Sequence, residues 1–471
     1  MKLPISFIES TRALMGDEEY QELSVALEQE PPASVRLNSK FPGLAACSSI
    51  SGRIPWAAEG YYLNQRLTFT FDPLFHAGCY YVQEASSMFV EQVLRRYVTT
   101  PVKMLDLCAA PGGKSTHARS VLPEGSLLVA NEVIRNRSQI LAENLTKWGY
   151  ADVVVTNNDP SDFSRIGSFF DVILTDVPCS GEGMFRKDPG AIEEWSPENV
   201  EICWQRQRRI ITDIWPCLKP GGILIYSTCT YNTCEDEENI AWIRQEFGAE
   251  PLPLAVPAEW NITGSLLAGA DAPVYRFLPH KTQGEGFFLA ALRKPEEDGE
   301  ADTVFSPKKK KSKGDTAASP VSKENLAIAK SWLASSDEYN LLVNGTAITA
   351  FPVYYQNDLA LLRQSLRIVQ AGTEVAEVKG KDLIPAHGLA MSRLLKTSVF
   401  PTEALIYEQA IAYLRKEAIV LPPSVPRGYV LVTYKEIPLG FVKNIGNRAN
   451  NLYPQEWRIR SGYLPDDIRT L

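Results

Sequence analysis

The chain lacks any long apolar run. Its start, Met1-Lys-Leu-Pro-Ile-Ser-Phe-Ile-Glu-Ser10, has no apolar core ahead of a small-residue cleavage site. No later segment approaches the roughly 20 apolar residues that a bilayer span requires. A cytoplasmic protein with no membrane attachment is therefore expected. A disulfide framework is also missing: Cys47, Cys79, Cys108, Cys179, Cys203, Cys217, Cys229 and Cys234 show no framework spacing. With 471 residues and 45% hydrophobic content the chain can fill several cores without staples, so reduced thiols are expected. The close pair Cys229 and Cys234 has no second pair at ligand spacing, so no metal is expected. Positive charge is scarce as well. The net charge of -8 speaks against a large uniform nucleic-acid footprint. From Lys396 to Leu471, however, ten Lys and Arg face seven Asp and Glu, which leaves room for a local basic surface.

What is present is organised in blocks, with no internal repeat. Between 296 and 321 the sequence turns polar and simple around Lys308-Lys-Lys-Lys311 and Lys313, and reads as a flexible basic linker. Upstream, apolar strand-like runs at 102–107, 126–130, 152–156, 170–175 and 222–227 alternate with helical segments. That alternation predicts an α/β, Rossmann-like, doubly wound parallel sheet over 93–295. Gly286-Phe-Phe-Leu-Ala-Ala-Leu292 is expected as an edge strand, after a helix opened by the acidic turn Glu235-Asp-Glu-Glu238. Residues 1–92 read as a separate N-terminal α+β accessory unit, 322–391 as an intermediate accessory unit, and 392–471 as a small β-rich domain.

The expected first strand runs into Asp106-Leu-Cys-Ala-Ala-Pro-Gly-Gly-Lys-Ser115. Small residues let a backbone approach a ligand closely, and the helix that follows offers free N–H groups. Gly113-Lys114-Ser115 matches the end of a phosphate-binding P-loop, but the required first glycine falls on Cys108. A full G-x-G-x-x-G is absent too, which makes a dinucleotide the weaker reading. The second strand ends in Asn131-Glu132, 20 residues after Gly112, the separation that delivers a carboxylate to a ribose diol. The third ends at Asn157-Asn-Asp159, an acceptor for the exocyclic amine of adenine. S-Adenosylmethionine needs a ribose carboxylate and an adenine site but no pyrophosphate loop, so it fits best. Its candidate contacts are Cys108, Ala109, Ala110, Pro111, Gly112, Gly113, Lys114, Glu132 and Asp159.

Two cysteines lie past the ends of expected strands: Cys179 in Asp176-Val-Pro-Cys-Ser-Gly-Glu-Gly183, and Cys229 in Tyr226-Ser-Thr-Cys-Thr230. Open α/β sheets place their chemistry there, and both thiols are candidate nucleophiles. Cys234, beside Glu235 to Glu238, would have its thiolate disfavoured. Cys47, Cys79, Cys203 and Cys217 read as buried apolar fillers.

Asp106 to Ser115, Asp176 to Gly183 and Ser227 to Thr230 together resemble the RNA cytosine-5 methyltransferases of the NSUN/Sun superfamily. The likeness extends to Tyr81-Val-Gln-Glu-Ala-Ser-Ser-Met88, Arg276-Phe-Leu-Pro-His280 and Gly286-Phe-Phe288. Val442-Lys-Asn-Ile-Gly-Asn-Arg448, Asn450 to Pro454 and Trp457-Arg458 further resemble the YebU/RsmF type, which acts on 16S ribosomal RNA and carries a PUA-like C-terminal domain. The resemblance implies a methyltransferase core with S-adenosylmethionine as cofactor. The implied partner is RNA, as 16S rRNA or the small ribosomal subunit, and the chain is expected to act as a monomer. It also implies that Cys229 attacks cytosine C6 and Cys179 assists release, while Asp176 meets the target base and lies near the cofactor. Val177 stands where many relatives have alanine.

Lys114 is a candidate for lowering a nearby thiol pKa, and Arg137 for screening Glu132 or contacting RNA. Arg186 and Lys187 are candidate phosphate contacts at the rim, and Lys443, Arg448, Tyr453, Trp457 and Arg458 in the tail. His117 reads as a satisfied core histidine and His280 as a substrate-side or turn residue. The rivals are a tRNA cytosine-5 methyltransferase, a noncatalytic RNA-binding assembly factor, and a DNA cytosine-5 methyltransferase, in which Cys179 would attack.

Overall fold

A computed structural model describes residues 2–296 and 321–471. The expected linker therefore lies, apart from Glu296 and Val321, outside the described residues, as do Lys308 to Lys311 and Lys313. The central sheet is built from β1 (Lys103–Asp106), β2 (Leu127–Asn131), β3 (Val153–Thr156), β4 (Phe170–Asp176), β5 (Leu218–Thr228) and β6 (Phe287–Arg293). Its order is β6-β5-β4-β1-β2-β3, parallel except for β6. Helices α1 (Gly113–Val121), α2 (Arg135–Trp148), α3 (Pro197–Ile214) and α4 (Glu237–Phe247) belong to the crossovers.

The strands are near-continuous apolar runs because both faces are covered. Met104, Leu128, Val153, Val155, Val172, Leu174, Ile223 and Ile225 face one core. Their chain neighbours Leu105, Leu127, Val129, Val154, Ile173, Leu224 and Tyr226 face the other. This period of two fixes the pairing register, since a slip of one residue would exchange the two faces. Asn131 then gathers the strand ends: its Nδ2 donates to Leu107 O and Asn158 O, and its Oδ1 accepts from the Thr156 hydroxyl and Asn158 N–H.

β6 is not an edge, contrary to expectation. It pairs with β5 on one side, and with Glu250–Pro251 and Tyr275–Phe277 on the other. The 322–391 stretch also reaches into the central sheet, where strand Ile368–Ala371 pairs antiparallel with β3. Asn158 anchors it, with Nδ2 donating to Arg367 O at 3.1 Å and Oδ1 accepting Arg367 N–H at 2.9 Å. The Lys103–Asp358 ion pair at 2.9 Å adds a second tie. The rest of that stretch carries a four-stranded antiparallel sheet.

The N-terminal region has two helices, Ile5–Met15 and Asp17–Leu27, and a four-stranded antiparallel sheet. The C-terminal region is another four-stranded sheet with helix Tyr407–Leu414. These two regions share one core, in which Phe71 and Leu74 meet Tyr413, Val430 and Tyr453. Among the described residues no helix is long and apolar enough to cross a membrane.

Asn158→Ala should strip both side-chain bonds from Arg367 and cost about 1–3 kcal/mol. Hydrogen exchange should show strand 368–371 losing protection first; unchanged protection there would refute this anchoring role.

Candidate active site

The crevice lies past the carboxyl ends of β1, β2, β4 and β5. After β1, Gly112 takes φ +115° and caps α1; a Cβ there would be strained and would press on Leu141 Cδ1 at 3.3 Å. Helix α2 holds this loop from behind, with Arg137 donating to Ala110 O and Asn144 to Pro111 O, both at 2.8 Å. From the N-terminal sheet, buried Arg36 reaches Thr116 Oγ1 at 2.5 Å. Cys108 is half-buried, and burial raises its thiol pKa.

Four carboxylates surround the loop. Asp106 is fully buried. Its Oδ2 accepts the Ser115 hydroxyl at 2.6 Å, and its Oδ1 has no partner. Burial pushes Asp106 up to about 7, although the Ser115 bond opposes the shift. Glu132 is buried at the end of β2; Oε1 accepts Ile134 N–H at 2.8 Å, and Oε2 lies 3.6 Å from Arg137. Asp159 is half-exposed, and its Oδ1 accepts the N–H and hydroxyl of Ser161. Asp176 accepts Ser227 Oγ on Oδ1 and Lys114 Nζ on Oδ2, both at 2.8 Å. Burial alone would lower Lys114, but Asp176 outweighs it and holds the ammonium above its ordinary range.

The two cysteines converge because their strands are parallel neighbours, with Asp176 opposite Ser227. Cys179 Sγ lies 3.2 Å from Cys229 Sγ and accepts Cys229 N–H at 3.3 Å; both thiols are free. The hydrogen bond with Cys229, followed by burial, pushes Cys179 well above the ordinary thiol range.

Two buried carboxylates missed in the sequence cross between the cysteine loops. Glu182, on the Cys179 loop, uses Oε2 to accept Thr230 Oγ1 at 2.6 Å, Tyr231 N–H at 2.7 Å and Asn232 N–H at 2.9 Å. Glu235, on the Cys229 loop, accepts Ser180 N–H at 3.0 Å, Asn232 Nδ2 at 2.8 Å and Gln207 Nε2 at 2.7 Å. Burial pushes Glu235 up to about 7 against those bonds. The run expected as an acidic helix turn is thus largely interior: Asp236 and Glu237 are also buried, around Arg276. The only sequence signal was the acid's place three or six residues beyond each cysteine, and it named no partner.

Other expectations change too. The Arg186 side chain is buried on Glu285 at 3.0 Å, and Lys187 lies 3.6 Å from the same acid, so Arg186 is a structural tie rather than a rim contact. His117 is buried against Glu91 at 2.7 Å, as a core histidine should be. His280 faces Glu19 at 3.4 Å. Tyr453 is fully buried in the C-terminal core and Trp457 partly so, whereas Arg448 is exposed. Cys234 is exposed, and partial burial followed by Glu238 pushes it up to about 11. Cys79, Cys203 and Cys217 are buried, while Cys47 is only half-buried.

This sheet order, crevice and loop define a Rossmann-like methyltransferase. Three family models match the chain: 16S rRNA methyltransferase RsmB/F over residues 99–293, N-terminal domain of 16S rRNA methyltransferase RsmF over 3–85, and methyltransferase RsmF PUA domain over 402–459. The chain is 31% identical over 434 residues to ribosomal RNA small subunit methyltransferase F of Shigella boydii, covering 87% of this chain and 85% of that one. With its counterpart from Serratia proteamaculans the identity is 30% over 492 residues, covering 98% of each. A methyltransferase homologue from Pyrococcus horikoshii superposes with TM-score 0.53 at 29% identity, over 61% of this chain and 94% of that one. The chain belongs to the ribosomal RNA small subunit methyltransferase F family. It is an RNA methyltransferase with S-adenosylmethionine as its cofactor.

The raised carboxyl of Asp106 has a stability consequence in the protein without cofactor. Its contribution is fully present below about pH 4, where the unfolded acid ionises, and is lost as pH rises through about 7. Asp106→Asn should remove that slope. The variant's stability relative to wild type should therefore rise between pH 4 and 7, by about 1–4 kcal/mol. Parallel melting curves at both pH values would refute it.

Proposed function

We propose that the chain methylates C5 of a cytosine in 16S rRNA through a transient bond from Cys229 Sγ to C6. The observation that carries this reading is the pair of thiols 3.2 Å apart beside the Lys114–Asp176 ion pair. Cytosine C5 is a weak nucleophile, but thiolate addition at C6 turns the ring into an enamine with electron density at C5. The Lys114 ammonium favours an anionic sulfur nearby. Asp176, already oriented by Ser227 and Lys114, is the group for N3 or N4 of the base. The base reaches this pocket by flipping out of its stack.

The crevice fits the cofactor. Its carboxylates suit a cationic ligand, and the unpartnered Asp106 Oδ1 is a buried acceptor awaiting a donor. Glu132 is assigned to the ribose diol and Asp159 to the adenine amine, while residues 108–114 give the close backbone approach. When bound, S-adenosylmethionine supplies a methyl group made electrophilic by the sulfonium.

Cys179 then acts on the methylated adduct. Once Cys229 is tied up as a thioether, Cys179 is the remaining thiol beside the adduct and serves as its base after giving its proton to water. It takes the C5 proton as the C6–S bond breaks and Cys229 leaves as thiolate, restoring the aromatic ring. Exposed Arg448, in the turn between strands Ile437–Asn444 and Ala449–Asn451, is available for phosphate. The setting is the cytoplasm, on 16S rRNA or the small subunit, with a single chain acting.

RNA containing 5-azacytosine, mixed with protein and cofactor, should give a denaturation-resistant adduct that Cys229→Ala abolishes. Cys179→Ala should instead accumulate an adduct with unmodified RNA. An adduct surviving in Cys229→Ala would reverse the assignment. Glu132→Ala should weaken cofactor binding at least about tenfold by calorimetry, the loss of a charge-assisted bond. Mapping 5-methylcytosine in 16S rRNA with and without the protein tests the substrate.

A further inference from the structure

Two thiols 3.2 Å apart are chemically alike, so something outside them must decide which one attacks. Local position does not: both follow strand ends and both are half-buried. Their surroundings do differ. On the Cys229 side, Asp176 holds Lys114 Nζ at 2.8 Å on one oxygen and the hydroxyl of Ser227, two residues before Cys229, at 2.8 Å on the other. On the Cys179 side stands the carboxyl of Glu235, 3.0 Å from the N–H of the next residue, Ser180.

Glu235 is placed with unusual care for an acid in a loop. It is completely buried. It accepts the N–H of Ser180, the residue after Cys179, at 3.0 Å. It also accepts Gln207 Nε2 at 2.7 Å, and the same nitrogen donates to the carbonyl of Pro178, the residue before Cys179, at 3.0 Å. Tyr226 and Asn239 fix Gln207 in turn, through its Oε1 at 3.1 and 2.7 Å. The donors to Glu235 are neutral: the Ser180 N–H and the amides of Gln207 and Asn232. A neutral side chain could staple this loop without the cost of burying a charge. Burial raises Glu235 to about 7, so above that pH the loop carries a charge that it does not need as a staple.

We propose that Glu235 is a positioning residue that assigns the two thiols their roles: it ties down the backbone on both sides of Cys179 and sets a buried negative charge beside that sulfur, leaving Cys229, beside Lys114, as the thiol that attacks. The inference rests on the proposed covalent mechanism and explains its asymmetry. Glu182 supplies the reciprocal hold on the Cys229 loop, so neither loop can drift and bring the wrong sulfur to the base.

The test needs neither RNA nor cofactor, so it can fail independently of the methylation reading. In the full chain, Cys229→Ser and Cys179→Ser each leave one thiol of the pair and remove their mutual contact, so only the surroundings differ. Iodoacetamide labelling at pH 8.5, where Glu235 is ionised, read by peptide mass spectrometry, should modify Cys229 in Cys179→Ser at least about tenfold faster than Cys179 in Cys229→Ser, the effect of one unit of thiol pKa. Equal rates would overturn the proposal, even if no Glu235 variant folds. Adding Glu235→Gln to Cys229→Ser keeps the size and the bonds to one oxygen but removes the charge, and should speed Cys179 labelling about tenfold. An unchanged rate, with melting temperature preserved, would also overturn it. In the otherwise native chain, Glu235→Gln should lower kcat while leaving KM for RNA unchanged, and Glu235→Asp should restore much of it. A raised KM with kcat intact would assign Glu235 to RNA binding instead.

Discussion

The parallel register of β4 against β5 is the constraint on which the chemistry depends. With Asp176 opposite Ser227, the next residues of each strand enter loops that bring Cys179 and Cys229 together. A shift of one residue moves a strand by about 3.3 Å and turns its side chains to the other face. Either change would separate the sulfurs and break the Ser227–Asp176 bond. The two apolar cores that enforce the alternation therefore act on the reaction without touching it. Burial of each Val, Leu or Ile there is worth about 1.5–3 kcal/mol, so the register is held by many independent contributions.

Around that frame the crevice carries more negative than positive charge. Asp106, Glu132 and Asp176 converge near Lys114, and Glu182 and Glu235 lie behind the thiols. In a low-dielectric interior such acids either find donors or take up protons. Glu182 and Glu235 each find several donors, and burial still raises Asp106 and Glu235 to about 7. The site is thus prepared for a cationic ligand while keeping its ionised acids in fixed positions.

Much of this was legible in the sequence. Apolar runs located six strands to within a few residues, and the loops after them put the glycine turn, Glu132 and both cysteines at one end of the sheet. What escaped is what depends on partners far away in the chain. Glu235 to Glu237 look like a solvated helix start, because acids usually are; only the folded chain brings Ser180, Gln207 and Arg276 to them. Arg186 looked like a phosphate contact for the same reason, until Glu285 arrived from β6's approach. Ile368–Ala371 is short and partly polar, so nothing local announced that it would extend a sheet begun more than 200 residues earlier.

The core shared by the N- and C-terminal regions bears on how the chain is made. Phe71 and Leu74 emerge early in synthesis, whereas Tyr413, Val430 and Tyr453, which complete their packing, come more than 300 residues later. At about 5–20 residues per second, that apolar surface waits tens of seconds for its cover. The last region is therefore a closing piece as well as a domain. A ribosome stalled before it is made would hold a chain whose first region is left with unburied apolar surface, open to chaperones and to aggregation.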